Sequence, residues 1–450
     1  MNSFIAKYLF YFPIQLLRGQ NIRKYLPEIF RNQHKKLAEI EELSNSKLQT
    51  LINTAYENVP FYKSQFETLN LNPKSIRSKS DLQQLPVLSK RTILENERNL
   101  INKNYKGKVF LRKTGGSTGM TLHFQKEGDA LAKNDAIMFR CYDWYNIDVG
   151  DRQVRFWGVP VTSSKRINEK LKDFIANRIR ISAFDISENS CLEQYERIKK
   201  FKPAYFYGYT TAIYGFCLFI HKLGLNLNEL NLKAVICTAE KMYDHHRRLF
   251  SEVFDCPVVD EYGSSENGII AFQCREGNMH IMSDHLCVEF LNDNDNPVKP
   301  GVPGRIVVTD LSCHAMPLIR YDIGDIGTPS DSKCSCGIEL PLMDIVEGRK
   351  EDFIRKKNGE LVHAAYLCYT LKEDTVHEFK MYQKSIDWLH VQIVKSPTFN
   401  EASERKLESN LRSALGNEYK ISFEYKDRIP REISGKLRYF VSELDTNNSK

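Results

Sequence analysis

From Val109 to Val259 the chain alternates short apolar runs with helical patterns, and this alternation restricts the fold more than any other feature. Runs at Val154–Val159, Ala204–Phe206, Leu232–Thr238 and Pro257–Asp260 have the length and composition of buried strands. Such an order predicts an α/β region on a mostly parallel sheet. Upstream, Leu48, Leu51, Ile52 and Ala55 share a helical face that leads into Asn58-Val-Pro-Phe-Tyr62, while Ser78–Leu82 and Leu88–Leu94 read as short capped helices. Residues 280–328 change character: His280–Phe290 and Arg305–Asp310, with Pro-Gly turns between them, predict antiparallel β structure. After Glu347 the pattern changes again. Phe353–Arg355, Glu360–His363, Trp388–Val394 and Ile421–Tyr425 are strand candidates, and Glu401–Leu415 is a polar helix. The expected organisation is a large α/β domain over 1–346, with a β subdomain, and a small α+β domain over 347–450.

A length of 450 residues supports more than one core. The net charge of +7 is mild over that length; it suits an anionic small substrate and does not call for nucleic acid. Lys199-Lys200 and Arg247-Arg248 read as solvated helix faces. Eleven scattered cysteines, an odd count, read as thiols of a cytoplasmic protein, not as a disulfide framework. Met1–Leu17 is apolar and aromatic but broken by Lys7 and Pro13, and it lacks the marks of a signal peptide. Phe4–Leu17 is open to two readings, an interfacial helix or an amphipathic segment packed on its own domain. No run reaches the roughly 20 apolar residues needed to cross a bilayer.

Five short motifs carry the chemistry. The loop Lys113-Thr-Gly-Gly-Ser-Thr-Gly-Met120 follows a strand-like run; its glycines let the backbone approach a phosphate, and its hydroxyls and amides offer donors. It lacks the lysine of a Walker loop, and taken alone it reads as a Gly/Ser turn before it reads as a phosphate loop. Tyr262-Gly-Ser-Ser-Glu266 follows the apolar Val258–Val259, at a strand end of the kind where α/β sheets bind ligands. Glu266 alone is equally a surface carboxylate, and Tyr262 equally a core aromatic. Arg320-Tyr-Asp-Ile-Gly-Asp325, Gly348-Arg-Lys-Glu-Asp352 and Ser434-Gly-Lys436 complete the series.

In this order the motifs resemble those of the adenylate-forming superfamily, and most closely its phenylacetate-CoA ligase branch. The resemblance runs from Asn58–Tyr62 to Lys436, and Tyr11-Phe-Pro-Ile-Gln-Leu-Leu-Arg-Gly is similar to capsular-polysaccharide-associated members. It implies ATP-dependent activation of a carboxylic acid to an acyl-adenylate, followed by transfer to a thiol such as coenzyme A. Transfer to an amine or a carrier protein, and a non-catalytic nucleotide-binding role, are the alternatives. Under the resemblance Thr114, Gly115, Gly116, Ser117, Thr118 and Gly119 form the phosphate loop. Glu266 holds Mg2+, a hard cation that prefers carboxylate oxygen. Tyr262, Gly263, Ser264 and Ser265 line the nucleotide, with Ala239 and Glu240 on the other side of the base. Asp325 binds the ribose hydroxyls, Arg349 contacts ribose or phosphate, and Glu351 is the hinge about which the C-terminal domain rotates. Asp322 stands where arginine is more familiar, which leaves the positions before Asp325 without a clear task. Lys436 is the adenylation lysine, a mobile ammonium that stabilises charge as pyrophosphate departs.

Cys334-Ser-Cys336, with Cys274 and His280 upstream, offers the donor types of tetrahedral zinc. Similar cysteines hold a structural zinc in the phenylacetate-CoA ligase branch; four unrelated residues are the alternative. Tyr142, Trp144, Phe156, Trp157, Tyr207, Tyr209 and Tyr214 fall where an acyl pocket would lie, although aromatics at such spacing also build cores. His285 and His314 have no fixed spacing that assigns them a task. The expected partners are a small carboxylic acid, ATP and CoA, with a homodimer left open.

Overall fold

The computed structural model describes residues 1–113, 122–158, 163–183, 188–240, 242, 244–347, 353–357, 361–364, 367, 371, 375–429 and 440–444. They gather into two compact units. The larger holds Met1–Lys113, Leu122–Ile181 and Cys191–Arg349, and the smaller is centred on Lys350–Lys450.

In the larger unit, β1 (Val109–Lys113) and β2 (His123–Glu127) form an antiparallel ribbon. The main sheet contains β3 (Gln153–Trp157), β4 (Arg178–Ser182), β5 (Tyr205–Tyr209), β6 (Ala234–Thr238) and β7 (Val258–Ser264). It continues with β8 (Gly268–Gln273), β9 (Met279–Ile281), β10 (Leu286–Leu291), β11 (Gly304–Asp310), β12 (Tyr321–Ser330) and β13 (Leu342–Glu347). The strand order is β10-β11-β12-β13-β9-β8-β7-β6-β5-β3-β4. Pairing is parallel from β3 through β5 and β6 to β7, and antiparallel from β7 onward. The antiparallel β region thus continues the parallel sheet instead of forming a separate one. The reason is local: β7 returns as β8 through a tight hairpin, whereas each parallel step needs a crossover connection.

Helices cover this sheet. Leu48, Leu51, Ile52 and Ala55 of the helix Leu37–Asn58 are fully buried with Tyr62, Phe66 and Leu82, so the expected apolar face is the packed one. The helix Gly128–Asp143 packs Ala132, Ala136, Ile137 and Phe139 against Ile22, Tyr25 and Ile29 of the helix Ile22–Asn32. Buried ion pairs fix these layers. Arg140 donates to both oxygens of Asp284 at 2.7 and 3.1 Å and to the Ile29 carbonyl at 3.2 Å. Lys126 lies 2.9 Å from Asp310, with both side chains buried.

In the smaller unit, β14 (Phe353–Arg355) pairs with β15 (Leu361–His363). A second sheet has β16 (Val376–Ser385), β17 (Trp388–Lys395), β18 (Lys420–Tyr425) and β19 (Phe440–Ser442) in the order β18-β17-β16-β19. The helix Glu401–Leu415 begins at Asn400, whose side chain accepts from the Ser403 amide at 3.1 Å. Its Leu407, Leu411 and Leu415, at helical spacing, are buried with Leu389, Val391 and Ile393 of β17.

The buried His285 generates a stability prediction. Its Nε2 lies 2.8 Å from Asn134 Oδ1 and its Nδ1 2.9 Å from Ser312 Oγ. Burial pushes its pKa down to about 4 from 6.5, against the pull of Asp310. The unfolded chain therefore takes up the proton first. The contribution of a neutral buried imidazole is full above about pH 6.5 and is lost as pH falls through about 4, a difference of roughly 3 kcal/mol. Thermal unfolding followed from about pH 7 to about pH 4.5 is expected to show a falling midpoint, and His285→Gln is expected to flatten that slope.

Candidate functional site

The C-terminal ends of β5, β6 and β7 converge in the larger unit, the edge at which an open α/β sheet receives ligands. β6 ends in Thr238-Ala239-Glu240, and Ala239 has φ 66°, a left-handed conformation uncommon for a residue with a Cβ. Thr210 Oγ1 donates to the Glu240 carbonyl at 3.3 Å and ties this turn to the start of the helix Thr210–Lys222, which follows β5. β7 ends in Tyr262-Gly-Ser. A Cβ at Gly263 would stand 2.4 Å from the Gly268 carbonyl oxygen, so only glycine allows the two strands to approach here. Ser264 Oγ accepts from the backbone and side-chain amides of Asn267, both at 3.1 Å, and closes the turn.

This turn delivers two of the expected residues. Glu266 is nearly buried, and Tyr321 Oη donates to its Oε1 at 3.0 Å. Tyr262 Oη donates to Asp325 Oδ2 at 3.1 Å. Two motifs far apart in sequence are therefore joined twice, each time by a tyrosine hydroxyl on a carboxylate. The ring of Tyr262 packs against the buried cluster that includes Ile270, Ala271 and Ile281, a second role that its sequence position left open.

The residues before Asp325 have structural tasks. Arg320, with φ 53°, is buried against Glu289 at 2.9 Å and donates to the Leu85 carbonyl. Asp322 accepts from Arg305 at 2.6 Å and from the Gly324 amide at 2.8 Å. Asp322 thus shapes the turn in β12 that presents Asp325.

Glu261, Arg155 and Tyr321 are site-edge residues outside the expected set. Glu261 is buried and accepts from Tyr207 Oη at 3.1 Å and Tyr142 Oη at 3.2 Å. Burial raises its carboxyl pKa, against these hydrogen bonds and one with Thr238. The signal for Glu261 was the strand alternation, which puts it on the same buried face as Val259. Arg155 lies over the rings of Trp157 at 4.6 Å and Tyr207 at 5.1 Å, and Trp157 stacks on Tyr209 at 4.2 Å. This stacked group stands at the strand ends.

Of the other aromatics expected near an acyl pocket, Tyr142 and Phe156 are core, and Trp144 and Tyr214 are partly buried. Tyr142 and Phe156 are fully buried, Phe156 among Phe206 and Phe216. Trp144 donates to Gln33 Oε1 at 2.7 Å, and Tyr214 packs on His246 at 4.6 Å. Their hydrophobic area serves packing of the covering helices.

The four cysteine and histidine candidates come together. The donor atoms of Cys274, His280, Cys334 and Cys336 all lie within 4.8 Å of one another. Cys274 Sγ is 3.6 Å from Cys334 Sγ, and Cys336 Sγ is 3.3 Å from His280 Nε2. A tetrahedral site with Zn–S bonds of about 2.3 Å has edges of about 3.7 Å, so the set fits that ion. His280 Nδ1 lies 3.1 Å from the Leu340 carbonyl, which directs Nε2 toward the thiols. Burial lowers the His280 pKa, favouring the neutral ring. For Cys334, burial is outweighed by hydrogen bonds from the Cys336 backbone and thiol and from Asn278, which hold its pKa below the ordinary value.

Thr114, Gly115, Gly116, Ser117, Thr118, Gly119, Arg349, Glu351 and Lys436 lie outside the described residues.

Two substitutions test this geometry. Gly263→Ala is expected to lower stability by roughly 1–3 kcal/mol in chemical denaturation, because backbone must move to admit the methyl group. Tyr321→Phe removes the hydroxyl at Glu266 and is expected to cost about 1–2 kcal/mol. Wild-type stability in both variants would contradict the contacts.

Comparison with known proteins places this arrangement. A family model described as the CapK C-terminal domain matches residues 354–443. The chain is 25% identical to Protein CapK of Staphylococcus aureus over 95% of this chain and 94% of that one. It is 23% identical to the phenylacetate-coenzyme A ligase of Thermus thermophilus over 73% and 74% of the two chains. The Escherichia coli phenylacetate-coenzyme A ligase matches at 23% identity over 70% and 72%. Among solved structures, 2-hydroxyisobutyryl-CoA ligase in complex with 2-HIB-AMP and CoA aligns with a TM-score of 0.63 at 18% identity, covering 92% of this chain and 91% of that one. That likeness shows the fold.

Proposed function

We propose that this chain, which resembles the phenylacetate-CoA ligase branch of the adenylate-forming superfamily, activates a carboxylic acid with ATP and passes the acyl group to coenzyme A. The observation that carries this reading is the double link between motifs, Tyr262 on Asp325 and Tyr321 on Glu266, beside the open ends of the parallel strands.

The acid needs no general base, since a carboxylate is already a nucleophile at neutral pH. Its oxygen attacks the α-phosphorus of ATP, the bond to the bridging oxygen breaks, and pyrophosphate leaves with the electron pair. Asp325, oriented by Tyr262, would accept hydrogen bonds from the ribose hydroxyls. Glu266 would hold Mg2+, which supplies neutralising charge to the phosphates. Thr114–Gly119 would donate to the phosphates, Arg349 would contact the nucleotide, and Lys436 would stabilise the charge that grows at the α-phosphate. In the second step the CoA sulfur attacks the acyl carbonyl, the thiol proton passes to solvent, and AMP leaves.

Residues 1–346 would form the adenylation domain, and residues 347–450 a domain that turns about Glu351 between the steps. In support, 2-hydroxyisobutyryl-CoA ligase is known in both postadenylation and thioesterification states. Cys274, His280, Cys334 and Cys336 would hold a structural Zn2+. The co-substrates and the free cysteines support a cytoplasmic reaction, and the resemblance of Tyr11-Phe-Pro-Ile-Gln-Leu-Leu-Arg-Gly to capsular-polysaccharide-associated members supports a role in polysaccharide biosynthesis.

Pyrophosphate exchange across a panel of acids tests the first step. An accepted acid should drive exchange in the wild type, while Lys436→Ala and Glu266→Gln should each reduce it at least about 100-fold. Mass detection of products with CoA, an amine or a carrier protein then tests the acceptor. The reading fails if nucleotide binds but no acid supports exchange. For the metal, protein purified without added zinc should contain one zinc per chain, and Cys336→Ser should lose it; a metal-free wild type would remove the zinc assignment.

A further inference from the structure

The segment Ser3–Leu17 winds as an α turn, a π turn and a second α turn, and its inner side is pinned. Ala6 and Phe12 are buried, and Lys7 Nζ donates to both oxygens of Asp148 at 2.8 Å. Gly150, with φ 86°, passes so close beneath that a Cβ there would stand 2.5 Å from the Ser3 carbonyl oxygen. The outer side is different. Phe4, Leu9 and Leu17 are 66%, 65% and 84% exposed.

The neighbouring helix Ser163–Ile175 adds to the same surface. It presents Ile167, Leu171 and Phe174, spaced four and three residues apart on one helical face and 68%, 58% and 56% exposed. Phe10 and Phe174 meet edge to face at 5.5 Å, which joins the two elements. A contiguous face of this kind marks an interaction site.

Charge identifies the occupant. The first 36 residues hold seven lysines and arginines against one glutamate, in a chain whose net charge is only +7. Arg18, Arg23 and Lys24 are exposed beside the apolar face, and Lys170 stands on the second helix. Apolar side chains bordered by cations match the boundary between anionic headgroups and acyl chains. A second copy meeting this face would bring like charges together. No helix among the described residues is long and apolar enough to cross a membrane, so the contact is one of lying on the surface.

We propose that Phe4–Leu17 and Ile167–Phe174 form a preorganised face that seats the protein on an anionic lipid surface. The test is flotation of the full chain with phosphatidylcholine vesicles, with and without phosphatidylglycerol. The protein should float with the phosphatidylglycerol vesicles only, and added salt should weaken binding. Leu9→Glu/Leu17→Glu and, separately, Leu171→Glu should lower the bound fraction at least about tenfold, the effect of losing a well-buried leucine. Arg18→Glu/Arg23→Glu, at exposed positions, should do the same, and all variants should keep the wild-type circular dichroism. Failure of the wild type to float, or equal binding by all variants, overturns the proposal. So does conversion of a dimer to a monomer by the leucine variants, measured by sedimentation velocity, with vesicle binding unchanged; the face would then join two copies.

Discussion

The close approach of β7 and β8 at Gly263 is the constraint on which the site depends. At this point a Cβ would collide with the Gly268 carbonyl, and Gly268 itself has φ 74° and abuts the Asn134 side chain. The hairpin changes the sheet from parallel to antiparallel pairing. Without that reversal, β12 would not reach the vicinity of β7, and Tyr262 could not bond Asp325. The same turn sets Glu266 against Tyr321. One backbone geometry thus positions both carboxylates of the proposed nucleotide site.

Buried charge holds this frame in register. Arg140 with Asp284, Lys126 with Asp310 and Arg320 with Glu289 each connect an antiparallel strand or its flanking turn to another element. Such pairs gain little net stability over well-packed apolar groups, but losing one partner costs about 3–5 kcal/mol because a buried charge is left uncompensated. Asp284 illustrates the balance: burial opposes ionisation, yet Arg140 holds its pKa at about 2. The layers are therefore joined by three matched pairs of buried charge.

Much of the fold was legible because local pattern and burial agree. The parallel strands are short apolar runs, and the helix Glu401–Leu415 has an N-cap and three leucines at helical spacing. β12 was not legible, since Tyr321–Ser330 contains Asp322, Gly324, Asp325 and Gly327; its strand state comes from pairing with β11 and β13. The zinc-type residues were recognisable by donor chemistry, but only the fold brings the end of β8, strand β9 and the Cys334–Cys336 segment together. Tyr142 and Phe156 show the opposite limit: an aromatic side chain suits core and pocket equally, and here both are core. Arg320 and Asp322 had no clear task in the sequence, and the structure gives them to a buried pair and a turn.

In the proposed reaction the acid is activated by transfer of AMP. The most direct measurement uses an acid that supports turnover, labelled with 18O in its carboxylate, with mass analysis of the nucleotide product. One labelled oxygen is expected in AMP, because the attacking carboxylate oxygen stays on the α-phosphorus when the acyl group leaves. Label in inorganic phosphate, with ADP as the nucleotide product, would contradict it.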